Sequence, residues 1–313
     1  MSQMISLEQA TWAWIEAGPR KHQMPVGKRF VKGIMAGFLL STGGMLVQIM
    51  SASPWFATNA PGLLKIIQGA VFPVGLVMIV LLQGDLVTGE MAVFIMSTVK
   101  RRVPYWAFLY GWTITFVGNL VGALFYAAFL VHFSELYTPA MERGAANGAD
   151  LKVSAINFRE LWLRAIGCNV LVCIAVFQAS LAKDVVSKVV ASWFPIFVFV
   201  AAGFEHVVAN MFLINAALMT KLTNFSVGEY IWKSIIASFI GNIIGAALLA
   251  LPLVYLHGGD EFDPNQGVRA ELPMHAKPGE MSSGASVNNI TLQATPTGKE
   301  PWAKDVESQV GRA

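Results

Sequence analysis

Long uncharged stretches alternate with short polar connections along this chain. They cover 33–64, 66–84, 103–131, 165–182, 189–204 and 234–256. A helix that crosses roughly 30 Å of hydrocarbon needs about 20 apolar residues, so the pattern predicts six membrane spans. The first stretch is longer than one span requires, and its helix is expected to stop at the Ser53-Pro54 break. The fourth span is expected to begin near Asn157, with Arg159 and Arg164 reaching back to an interface. The fold class that follows is all-α and integral to the membrane.

Composition agrees with the pattern. Of 313 residues, 55% are hydrophobic and 13% charged, against about 25% charged in a soluble domain, which excludes an ordinary water-soluble globule. The net charge is +3 and no long basic block occurs, so nucleic-acid binding has no electrostatic footprint. Cys168 and Cys173 lie in one apolar run, a spacing that suits neither a zinc site nor a disulfide framework. They read as packing residues. The amino end carries Trp12, Glu16, Arg20 and Lys21, with no short apolar core and cleavage site, so no signal peptide is expected.

Lysine and arginine set the orientation, because cytoplasmic connections carry an excess of them. Arg20, Lys21, Lys28, Arg29 and Lys32, then Lys100, Arg101 and Arg102, then Lys183 and Lys188 all fall on one side of a six-span chain. The other side holds Lys65, Arg143, Lys152 and Lys221, with Lys233 near the last span. Both termini are therefore expected in the cytoplasm and the protein in the plasma membrane. Residues 1–29 read as a cytoplasmic amino-terminal segment, 30–256 as the six-span domain, and 257–313, rich in Gly, Pro, Ser and Asn, as a disordered cytoplasmic tail. Asn289-Ile290-Thr291 fits a glycosylation acceptor, but a cytoplasmic tail never meets that machinery.

A repeat runs through the spans. Gly118-Asn119-Leu120-Val121-Gly122-Ala123 in the third recurs as Gly241-Asn242-Ile243-Ile244-Gly245-Ala246 in the sixth. Two three-span halves follow, and because each crosses an odd number of times the second is inverted relative to the first. Glycines four apart let helices pack closely. An asparagine at the same place in both halves says more, since its amide in hydrocarbon needs a partner. The second span is interrupted at Gly84-Asp85-Leu86-Val87-Thr88-Gly89-Glu90 and the fifth at Gly203-Phe204-Glu205-His206. Irregular backbone at membrane depth is tolerated only where protein buries it or it lines a cavity, so paired broken helices point to a central pathway.

Asp85, Glu90, Glu205 and His206 are nearly the only ionisable residues well inside these spans. An aspartate at a helix centre costs about 2.5 to 3.5 kcal/mol to insert, which makes function the default reading. Two roles stand open for Asp85 and Glu205: pathway residue, or acceptor for N–H groups freed at the breaks. His206 reads as a pathway residue, because an imidazole beside a carboxylate changes charge near neutral pH.

Phe204-Glu205-His206-Val207-Val208-Ala209-Asn210-Met211-Phe212, with Asp85-Leu86-Val87-Thr88 and both G-N-x-x-G elements, resembles the formate/nitrite transporter family over about residues 28–256. It is most similar to the nitrite-transporting branch. The resemblance implies an aquaporin-like inverted repeat of three plus three spans with broken second and fifth helices. It also implies a homopentamer with one pore per protomer, passage of nitrite or formate with protons, and no cofactor. Phe72 and Phe199 resemble the outward hydrophobic constriction, and Leu76 and Leu86 the inward one. Thr88 resembles the threonine that forms a polar site with the central histidine, here His206. Asn169 and Asn242 resemble pore-lining asparagines, while Asn119 and Asn210 lie on family motifs without a clear role. Lys152 is similar to a lysine that faces the pore vestibule, one residue out of register with Asn169. Glu90 stands where relatives more often have a neutral polar residue, and is expected to point away from the lumen.

The mechanism implied is that a positive vestibule draws in an anion, His206 shares or donates a proton, and a neutral acid crosses the apolar ring. Glu205 is expected to hold the orientation and tautomer of His206, and Thr88 to bond substrate or imidazole. A neutral-solute channel of aquaporin type shares the topology but lacks its motif, the nearest string being Asn59-Ala60-Pro61. A membrane enzyme or metal protein needs clustered ligands, yet His22, His132, His257 and His275 fall near or beyond span ends.

Overall fold

A computed structural model describes residues 4–259. The disordered-tail expectation and the Asn289 sequon lie outside these residues. Among them, six helices are long and apolar enough to cross a membrane: Val26–Met50, Pro61–Leu82, Ala107–His132, Phe158–Leu181, Val185–Ala202 and Val227–His257. The second span begins earlier than the charge pattern suggests, so Lys65 sits inside it rather than in a connection.

In chain order, α1 (Leu7–His22) precedes the first span, α2 (Val26–Met50), and α3 (Pro54–Asn59) is a short connection. The second span is α4 (Pro61–Val71) and α5 (Pro73–Leu82), followed by α6 (Val87–Val99) after a break. Helix α7 (Ala107–Phe125), extended by a π-helical turn at Tyr126–His132, is the third span, and α8 (Pro139–Val153) lies between the halves. The second half repeats this with α9 (Phe158–Leu181), α10 (Val185–Ala202) and α11 (Val207–Met219). It closes with α12 (Val227–Glu229), a π-helical turn at Tyr230–Ile236, and α13 (Ala237–His257).

Small residues explain the helix pairing. A Cβ added at Gly37 would lie 2.0 Å from the Asn119 carbonyl oxygen, and one at Gly122 2.1 Å from that of Ile34. In the other half, Cβ atoms at Gly241 and Gly245 would lie 2.4 and 2.3 Å from the Trp162 and Ile166 oxygens. The repeated G-x-x-x-G thus presses α2 onto α7 and α9 onto α13, backbone on backbone. Gly122→Ala and Gly245→Ala are each expected to destabilise by about 1 to 3 kcal/mol through overpacking. A drop of several degrees in the detergent melting temperature, with none for Gly148→Ala, where nothing lies within 4 Å, checks this.

The breaks share one geometry built from different residues. Helix α5 ends in left-handed Gln83 (φ 54°) and α10 in left-handed Gly203 (φ 77°). The next amide closes each turn: Gly84 N–H donates to Ile79 O and Phe204 N–H to Phe199 O, both at 3.0 Å. Extended backbone follows, and Leu86 and His206 become the N-caps of α6 and α11.

Segment 1–29, read from sequence as a cytoplasmic amino-terminal segment, contains a docked helix. A capping box between Ser6 and Gln9 starts α1. Trp12, Trp14 and Ile15 are buried, Trp14 meets Phe177 edge-on at 5.2 Å, and Ser97 Oγ donates to Ile15 O at 2.6 Å. Apolar burial together with these polar contacts fixes α1 on the wall formed by α6 and α9.

Candidate functional site at the two breaks

Each break is clasped by the asparagine of the repeat. Asn119 Oδ1 accepts from Val87 N–H at 3.0 Å, and its Nδ2 donates to Gly33 O and Asp85 O, both at 2.9 Å. Asn242 Oδ1 accepts from Val207 N–H at 3.0 Å, and its Nδ2 donates to Ala165 O at 2.8 Å and Glu205 O at 3.1 Å. One amide therefore satisfies an orphan donor at a helix start and bonds two carbonyls as well.

Of the two roles left open for Asp85 and Glu205, this arrangement does not support the acceptor role. Their carboxylates do not take up the freed N–H groups; the asparagines do that, and the acids pair with lysines from the two amphipathic helices. Lys21 of α1 reaches Asp85 Oδ1 at 2.5 Å, and Lys32 lies 3.3 Å from Asp85 Oδ2. Lys152 of α8 donates to both oxygens of Glu205 at 3.0 Å. Asn210, given no clear role from sequence, donates to Glu205 Oε2 and Ser234 Oγ at 3.0 Å. Burial disfavours the Lys21 ammonium, but Glu90 and Asp85 outweigh it and hold the group above the ordinary lysine range.

Between the breaks the two halves meet at His206 and Thr88, 2% and 0% exposed. His206 Nδ1 accepts from Ala209 N–H at 3.0 Å as the N-cap of α11. An acceptor at Nδ1 places the proton of the neutral ring on Nε2, so Nε2–H donates to Thr88 Oγ1 at 3.0 Å. The expected hold of Glu205 on this ring is absent: a backbone amide fixes the tautomer, and Glu205 faces Lys152 and Asn210. Phe199 stacks on His206 at 5.9 Å, and Phe72 meets Phe199 edge-on at 5.6 Å. Phe72, Phe199, His206 and Thr88 thus form one file.

On the face that bears α1, Leu76 and Leu86 open into a cavity of about 310 Å³. Lys21, Lys32, Asp85, Glu90 and Lys188 also line it. Glu90 therefore does not stand clear of the cavity, as the sequence suggested. Its oxygens are taken by Lys21 Nζ at 3.0 Å and Thr115 Oγ1 at 2.8 Å. Asn169 and Asn242 do not line this cavity. Both are fully buried, and Asn169 Nδ2 donates to Thr88 O at 3.2 Å and Asn242 O at 2.7 Å. Cys173 Sγ, also buried, lies 3.7 Å from the same Thr88 oxygen. Among the described residues, no group of three or more His, Cys, Asp or Glu could hold a metal ion.

Residues 8–256 match the model of the family described as Formate/nitrite transporter. The chain belongs to the formate/nitrite transporter family. It is a membrane transporter rather than an enzyme. An uncharacterized transporter of Bacillus subtilis is 38% identical over 78% of this chain and 89% of its own length. A probable formate transporter of Methanothermobacter thermautotrophicus is 33% identical over 75% and 90%. A solved structure described as a pentameric formate channel with formate bound has the same fold, with a TM-score of 0.66 at 23% identity, covering 74% of this chain and 96% of that one.

The match to this transporter family reaches back to residue 8 and so takes in α1, which the motif resemblance left out. Sequence reasoning counted Lys21 and Lys32 only toward orientation and passed over Thr115 and Ser234. The Ser6-Gln9 capping box ahead of Trp12, Trp14 and Ile15 was the signal that a helix, and hence a placed lysine, stood there.

Proposed function

We propose that this family member conducts small monovalent weak-acid anions, nitrite or formate, through a path that runs between the two breaks. The observation that carries the reading is the His206–Thr88 contact at 3.0 Å, the polar junction of the two halves, with phenylalanines on one side and leucines on the other. The formate transport named for the Methanothermobacter relative supports the substrate class. The pentamer named for the structural neighbour supports assembly as a homopentamer with one path per protomer. The lysine and arginine bias supports placing the α1 face and both termini in the cytoplasm of a cell bounded by a plasma membrane.

A bare anion in a dry apolar constriction is heavily penalised. Lys152 on one face, and Lys21 and Lys32 on the other, lower the energy of an anion arriving at either mouth. At the centre the His206 Nε2–H turns from Thr88 to the anion, and proton sharing across that bond thins its charge while it passes Phe199 and Leu86. A proton that travels with the anion leaves a neutral acid to cross. Cells that express this chain are expected to take up labelled nitrite in a manner competed by unlabelled formate and favoured by acid outside. Nitrite uptake indifferent to a large excess of formate would overturn a shared path.

Lys152→Gln is expected to slow uptake from outside roughly fivefold by removing about 1 kcal/mol of attraction at that mouth. The decrease should shrink as salt screens the charge.

A further inference from the structure

The match between the halves runs through the asparagine clasps and the acid–lysine pairs of both breaks, and one of its departures falls beside the acid. Asp85 corresponds to Glu205, Lys21 to Lys152, Val87 to Val207 and Asn119 to Asn242. Five residues beyond the acid, the second half has Asn210 and the first has Glu90. Asn210 bonds its acid directly, donating to Glu205 Oε2 at 3.0 Å. A carboxylate next to Asp85 would be repelled, and Lys21 stands between Glu90 and Asp85 instead, bonded to both. The same half holds a second cation, Lys32, on the other oxygen of Asp85. The Lys21 and Lys32 side chains are 19% and 25% exposed, whereas the carboxylates of Asp85 and Glu90 behind them are at 5% and 2%. Three lysines (Lys21, Lys32, Lys188) and two carboxylates (Asp85, Glu90) line the cavity. That leaves one net positive charge with Glu90 and two without it.

We propose that Glu90 is a positioning residue that sets how tightly the cytoplasmic mouth holds the anion. It balances the charge of Lys32 and draws Lys21 back against the wall. The cavity then attracts an anion without trapping it, since conduction needs binding strong enough to enter and weak enough to leave. The inference rests on the anion-conducting reading above and adds to it a determinant of release on one side.

The test uses the full chain in liposomes of known sidedness, with formate and nitrite fluxes started from each side. Glu90→Gln removes the charge and keeps one acceptor oxygen for Lys21, its amide then donating to the Thr115 hydroxyl. Its half-saturation concentration for flux from the α1 face is expected to fall roughly five- to tenfold, the effect of one charge at contact distance under partial screening. Maximal flux should fall with it, and half-saturation from the α8 face should hold. Adding Lys32→Gln restores the charge count and is expected to return the cytoplasmic value toward the original, which a packing defect at Glu90 would not do. Lys32→Gln alone, available even where Glu90→Gln does not fold, is expected to raise the same value by a similar factor. No change from the α1 face, equal changes on both faces, or no reversal in the double variant would each overturn the proposal while wild-type flux persists. Absence of any anion flux in the wild type would overturn the conduction reading and this inference with it.

Discussion

Asn242→Leu is expected to leave almost no correctly folded protein, and Asn119→Leu to be nearly as damaging. Leucine matches asparagine in volume but carries neither donor nor acceptor. Val207 N–H and the Glu205 carbonyl, which now bond to Asn242, would be buried with no partner, while the Ala165 carbonyl would keep only its bond within α9. Each orphan costs about 1 to 3 kcal/mol, and the two together take a large share of the roughly 5 to 15 kcal/mol that holds a domain folded. Asn242→Asp keeps the acceptor for Val207 but turns its second oxygen onto the Ala165 and Glu205 carbonyls, so it should also melt well below the wild type. Size-exclusion profiles and melting curves in detergent give the measurement. A leucine variant with the wild-type melting temperature would mean that the breaks are held by something other than the asparagine clasps.

His206→Phe is expected to keep the protein at the membrane while labelled nitrite uptake falls roughly ten- to hundredfold, the worth of a hydrogen bond to a charged group at about 1.5 to 3 kcal/mol. Phenylalanine preserves the stack on Phe199 but removes Nε2–H and the cap on Ala209. The lost cap costs about 1 kcal/mol of helix stability, which His206→Asn restores without the ring. The asparagine variant should therefore melt near the wild type yet conduct as poorly as the phenylalanine one, separating the cap from the proton. Dependence of uptake on external pH should vanish in both. Unaltered uptake with unaltered pH dependence would take the histidine out of the mechanism.

The spans, the breaks and the repeat were legible because each leaves a local trace: apolar runs for the helices, glycine beside an acid for the interruptions, and G-N-x-x-G twice for the symmetry. The partners of those residues were not. Lys21 meets Asp85 across 64 positions and Lys152 meets Glu205 across 53, separations over which no periodicity reports. Chemistry alone suggested that Glu205 should hold the neighbouring His206, but side chains on adjacent extended residues point apart. Glu205 turns to α8 while His206 turns to Thr88. Phe72, Phe199, Leu76 and Leu86 carry no signal of their own, since a buried Phe72 or Leu76 reads like any other apolar residue of a span.

The burial of both cysteines has a practical side. Cys168 and Cys173, the two thiols of the chain, are each 0% exposed within the wall formed by α9. A thiol placed by mutation at the rim of either mouth would be the one that an impermeant maleimide finds. Dyes or spin labels can then follow either vestibule in the otherwise native chain, with no cysteine-free background to build first.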